Sequence, residues 1–183
     1  MNRGKLYFWT TCALMTAIMC ILGPVTLPIG PIPVSLMLLV IFLSVIILGT
    51  KGAVVSTVLY LLIGMAGLPV FSGYSGGIAK IAGPTGGYLV GYIFAALIAG
   101  IISEKAKGKT AFIIFGMVLG TAAAYSFGTV WFIILMKVDL WYALTVCVFP
   151  FIPFDVAKML IATYLGRAVK NALMKSGHYD FEV

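Results

Sequence analysis

Charge is what this 183-residue chain has least of: only 9% of it is Asp, Glu, Lys or Arg, against 62% hydrophobic residues and a mean hydropathy of +1.15. So much apolar surface cannot be hidden in one small soluble core, so the solvent of this chain is lipid. Histidine occurs once, at His178, and neither H-E-x-x-H nor G-x-S-x-G is present. No nucleophile and base can be assembled for an intramembrane protease or lipid hydrolase, and no catalytic residue or metal ligand is assigned. The missing G-x-x-x-x-G-K-[ST] means that the chain cannot itself cradle ATP phosphates. Cysteine is scarce: Cys12, Cys20 and Cys147 lie in apolar runs at no metal or redox spacing and read as small buried hydrophobes. No inverted repeat is visible, which argues against a free-standing secondary transporter.

Long apolar runs are what the sequence does have. Punctuated by Gly, Pro and charge, they place spans near 6–23, 34–49, 52–67, 87–102, 111–135 and 154–170. The expected fold is an all-α integral membrane protein, a single domain over 1–183 with six transmembrane helices and outer lid loops. The first run follows Arg3 and Lys5 as a signal peptide would, but no small-x-small cleavage site precedes Gly23-Pro24, so it reads as a retained helix. Thr50-Lys51-Gly52 joins two short spans in a tight hairpin. The segment 140–149 is too short to cross and is cut off by Pro150 and Pro153, which makes it interfacial or re-entrant.

Basic residues in short loops prefer the cytoplasmic side. An inner N-terminus puts Arg3, Lys5, Lys51, Lys105, Lys107, Lys109, Arg167, Lys170 and Lys175 inside and only Lys80 and Lys137 outside. Both termini are then cytoplasmic, and the long loops 68–86 and 136–153 face out. The net charge of +7 needs no nucleic-acid partner, because this asymmetry and the anionic bilayer account for it.

Asp155 and Lys158 are the ionisable residues committed to a membrane helix, three apart in F-I-P-F-D-V-A-K. That spacing puts a carboxylate and an ammonium on one face, where a ligand with both donors and acceptors would satisfy both. A structural reading stays open: Asp155 in a first turn begun at Pro153 suits the helix dipole, and Lys158 can snorkel. The loop 71–88 is too glycine-rich for a lipid-facing helix and too apolar for a solvated linker, as expected of backbone that lines a cavity. Thr85 is a candidate N-cap there, with nearby amides open to a carboxylate and Lys80 adding positive charge, although a turn that only packs helices fits too. Small residues four apart, at Ala13 and Ala17, Gly87 and Gly91, Ala95 and Ala99, and Gly116 and Gly120, allow close helix packing.

L-P-I-G-P-I-P-V-S-L at 27–36, G-L-P-V-F at 67–71, G-G-I-A-K-I-A-G-P-T-G-G-Y-L at 76–89 and P-F-I-P-F-D-V-A-K at 150–158 occur in that order. Together they resemble the BioY family, the biotin-capturing S components of energy-coupling factor vitamin transporters, over nearly the whole chain. The resemblance implies a six-helix protein of the bacterial cell membrane that binds biotin from outside, beneath lid loops. Its partners would be a transmembrane coupling subunit and two ATPase subunits, and it would carry no cofactor. Asp155 and Lys158 match the family's ligand-contacting pair, and Ser75 matches a polar residue before a Gly-Gly pair. Ser75 and the amides of Thr85, Gly86 and Gly87 would hold the ligand carboxylate, while Tyr88 packs the ring and chain. Ala13 and Ala17 match the small-residue face of helix one that docks on the coupling subunit. The chain departs from the family pattern at Met37, Leu89 and Phe154. A capture subunit for another vitamin, or a membrane scaffold with a purely structural ion pair, is the alternative.

Overall fold

The computed structural model describes residues 3–27, 32–105 and 109–175. Lys107, His178, residues 28–31 of the first motif and the side chain of Arg3 lie outside the described residues. Among the described residues, seven helices run in chain order: α1 (Arg3–Leu22), α2 (Met37–Met65), α3 (Ile78–Ala82), α4 (Gly86–Lys105), α5 (Thr110–Met136), α6 (Leu140–Cys147) and α7 (Ile152–Lys175). Two short strands, β1 (Thr26–Leu27) and β2 (Val34–Ser35), pair antiparallel between α1 and α2. Among the described residues, four helices are long and apolar enough to cross a membrane, and a fifth crossing arises if α6 and α7, bent by 45°, form one broken span.

The predicted spans 34–49 and 52–67 correspond to α2, which starts only at Met37 because Val34 and Ser35 form β2, and which is not one rod. Gly49 has φ +72° and ψ −172°, far outside helical values. Met37 and Tyr60 line the same pocket, whereas a straight helix would hold them about 34 Å apart. The chain therefore doubles back at Gly49. Glu104 secures the reversal, its Oε1 accepting the Thr50 N–H at 2.7 Å.

Helix ends follow local chemistry. Pro24, without an N–H, stands just beyond α1, while Lys137 closes α5 in the left-handed conformation with its N–H on Ile133 O. Pro153 falls in the first turn of α7, where a missing N–H is harmless. The small residues pack α4 on α5: a Cβ on Gly91 would lie 2.9 Å from Ala124 Cα, and one on Gly120 2.7 Å from Ala95 O. The loop after α2 is pinned by fully buried Phe71, whose ring meets Tyr60 edge-on at 5.6 Å. That apolar plug explains a loop unlike a solvated linker.

Candidate ligand-binding site

A pocket with about 630 Å³ of empty space, part of it open to the surroundings, lies near one end of the bundle. Helix α7 brings Asp155 and Lys158 to it from one side, and α2, α4 and α5 supply Tyr60, Tyr92 and Tyr125. The β1–β2 segment contributes Ser35, and the loop after α2 contributes Ser72.

Asp155 and Lys158 are only 2% and 7% exposed, so neither snorkels to water or headgroups. Lys158 Nζ donates to Asp155 Oδ1 at 2.6 Å, and Tyr125 OH donates to Asp155 Oδ2 at 2.5 Å. Both carboxylate oxygens thus hold a proton donor. The other phenols are tethered as well: Tyr92 OH shares a 3.2 Å hydrogen bond with Ser35 Oγ, Tyr60 OH donates to Val70 O, and Tyr88 OH donates to Cys147 O at 2.9 Å. The site is a ring of fixed hydroxyls around one internal ion pair. It offers a polar ligand both acceptors and donors, with Met37, Leu89 and Phe151 as apolar walls.

Residues 3–175 match the BioY family. The chain belongs to that family. Among BioY relatives, the biotin transporter BioY2 of Lactococcus lactis subsp. cremoris is 36% identical over 98% of both chains. The biotin transporter BioY of Thermotoga maritima is 34% identical over 86% of this chain and 92% of its own. The fold is similar to the crystal structure of the S-component for biotin from an ECF-type ABC transporter, with a TM-score of 0.87 at 28% identity, covering 93% of this chain and 94% of that one. With its apolar helices, this makes the chain a multi-pass membrane protein of a transporter family, not an enzyme.

The sequence singled out eight ligand-site positions, and the structure gathers four of them. Asp155, Lys158, Thr85 and Tyr88 all line the pocket. Ser75 is not among the lining residues; its Oγ turns back to Ser72 O at 2.8 Å inside a loop closed by the Phe71–Ser75 bridge, and Ser72 lines the pocket instead. Lys80, half-buried on α3, lies outside the lining too. Gly86 and Gly87 serve close packing: a Cβ on Gly86 would sit 1.6 Å from Ile81 O, and one on Gly87 2.3 Å from Trp131 Cβ. The Gly86 N–H, expected to be open to a carboxylate, donates to Gly83 O at 3.0 Å. Ala13 and Ala17 are exposed on the outer side of α1.

Sequence reasoning missed Tyr60, Tyr92, Tyr125 and Ser35. A signal was there, because the three tyrosines stand inside apolar spans and not at the ends, where interfacial aromatics gather. A phenol at that depth needs a hydrogen-bond partner, which marks it as facing polar protein.

Proposed function

We propose that this chain is the biotin-capturing S component of an energy-coupling factor transporter. The observation that carries the reading is the buried Asp155–Lys158 pair inside one pocket, in a chain whose relatives are named biotin transporters. A ureido ring presents two N–H donors and one carbonyl acceptor, the complement of a carboxylate beside an ammonium. Asp155 accepts the ureido N–H groups, and Lys158 donates to the ureido oxygen or to the valerate carboxylate. A carboxylate offers about four acceptor sites and an ammonium three donors, so ligand bonds can be added while part of the internal pair survives. Each charge-assisted bond is worth on the order of 1.5–3 kcal/mol.

Thr85 and Ser72 serve the carboxylate end, and Tyr88, Met37 and Leu89 pack the thiolane ring and chain. Lys80 attracts the anionic ligand from the loop without touching it. The two strands and the loop after α2 act as lids. Counting the legs of α2 separately, α1, α4, α5 and α7 complete six crossings of the cell membrane with both termini cytoplasmic. Uptake is driven by two ATPase subunits through a coupling subunit that docks on α1 at Ala13 and Ala17, whose exposure supports that role.

Equilibrium titration of the detergent-purified protein with labelled biotin tests the reading. Saturable binding that thiamine and riboflavin fail to displace is expected. Displacement by either vitamin, or no saturable binding, overturns it.

A further inference from the structure

Each hydroxyl that lines the pocket has a single proton to give, and the tyrosines around Asp155 spend theirs on the protein. Tyr125 donates to Asp155 Oδ2, Tyr60 to Val70 O and Tyr88 to Cys147 O. Ser35 and Tyr92 differ, because their oxygens lie 3.2 Å apart and share one hydrogen bond between two hydroxyls. One of the two protons is used there, and the other has no acceptor among the described residues. Ser35 Oγ also faces the Met37 N–H at 3.4 Å, which makes it an acceptor. A phenol is the more acidic hydroxyl, so Tyr92 gives its proton to Ser35 Oγ and the Ser35 O–H is the donor left over. Ser35 is held in place by β2, where it pairs with Thr26, and Tyr92 stands on α4, near enough to Asp155 for the carboxylate charge to act on the phenol.

We propose that Ser35, positioned by Tyr92, is a specificity-determining residue that donates a hydrogen bond to the ureido oxygen of the guest. The inference rests on the capture of biotin proposed above and assigns a further contact at the Asp155 end of that site. A ureido oxygen has two lone pairs. Lys158, whose Nζ stays beside Asp155 Oδ1, fills one of them at most, and the Ser35 O–H fills the other from a different element of the fold. A guest without a good acceptor at that position leaves the serine proton unpaired, which is how a polar site rejects a near-isostere. Tyr92 does not touch the guest; it fixes the direction in which the serine hydroxyl points.

The test is equilibrium titration of the detergent-purified full chain with biotin and with the analogue that carries sulfur in place of the ureido oxygen, a much weaker acceptor. The wild type should prefer biotin by at least about tenfold. Ser35→Ala should weaken biotin by about five- to tenfold while the sulfur analogue stays within about twofold, so that the preference largely disappears. Ser35→Thr keeps a hydroxyl and should keep the preference, and Tyr92→Phe should narrow it by about two- to threefold. Unchanged circular dichroism and elution show that the variants are folded; should Ser35→Ala not fold, Tyr92→Phe and Ser35→Thr carry the test. A preference undiminished by Ser35→Ala overturns the assignment, as does equal weakening of both ligands, the mark of a purely structural serine. A preference lost because the sulfur analogue binds better marks a steric fit and overturns it too. A wild type that binds no biotin overturns the capture reading and this contact together, whereas biotin binding with an unaltered preference overturns the contact alone.

Discussion

Asp155 has two neighbours to satisfy, and they act differently on any ligand. Lys158 balances its charge on Oδ1, while the Tyr125 hydroxyl holds Oδ2 in place. Asp155→Ala removes the proposed acceptor for two ureido N–H groups and strands a buried ammonium. At about 1.5–3 kcal/mol per bond, and a tenfold change per 1.4 kcal/mol, biotin affinity in a titration should fall by more than about 100-fold. Affinity within threefold of the wild type would remove the site assignment. Tyr125→Phe keeps the ring and loses one donor to a buried carboxylate, so about tenfold weaker binding together with a thermal midpoint a few degrees lower is expected. A residue that only packs would leave affinity unchanged. Asp155 and Lys158 were legible in the sequence because a charge in an apolar helix stands out. Tyr125 was not, because a tyrosine passes for a lipid-facing or core aromatic until the fold brings α5 against α7.

At the scale of the element, α2 turns on a single backbone conformation. Gly49 combines φ +72° with ψ −172°, a region essentially reserved for glycine, and a Cβ there would lie 2.9 Å from Glu104 Oε1. Gly49→Ala should cost about 1–3 kcal/mol and lower the thermal midpoint by several degrees, measured by differential scanning fluorimetry in detergent. An unaltered midpoint would show that the reversal tolerates a side chain. The α4–α5 seam is equally exacting. Gly91→Leu would push a branched chain into the Ala124 backbone, and loss of monodisperse folded protein on size exclusion is expected. The spacing of small residues announced close packing but not its partner, since four-residue repeats occur on several helices. The hairpin was legible from Thr50-Lys51-Gly52, and its point of reversal, Gly49, stands just before that tripeptide because the reversal needs a positive φ that glycine takes most readily.

For the whole molecule, the proposed capture site and the proposed docking face are different surfaces. Ala13 and Ala17 face outward on α1, away from the pocket lining. Ala13→Trp or Ala17→Trp should leave biotin affinity intact and abolish uptake in cells that carry the partner subunits. Uptake at the wild-type rate would argue against docking on that face. Composition made the lipid solvent legible, and the ordered motifs made the family legible. The pocket itself was less so, since Ser72 and Ser35 reach it only through loop conformations that no periodicity encodes. The ring of fixed hydroxyls around one internal ion pair has a consequence for turnover. If a guest binds at Asp155 as proposed, groups already alongside retake its place when it departs, so no bare ion is left waiting for water to flood in. Letting go is thereby made easier, and the vacated receptor can persist in the bilayer until the next guest arrives.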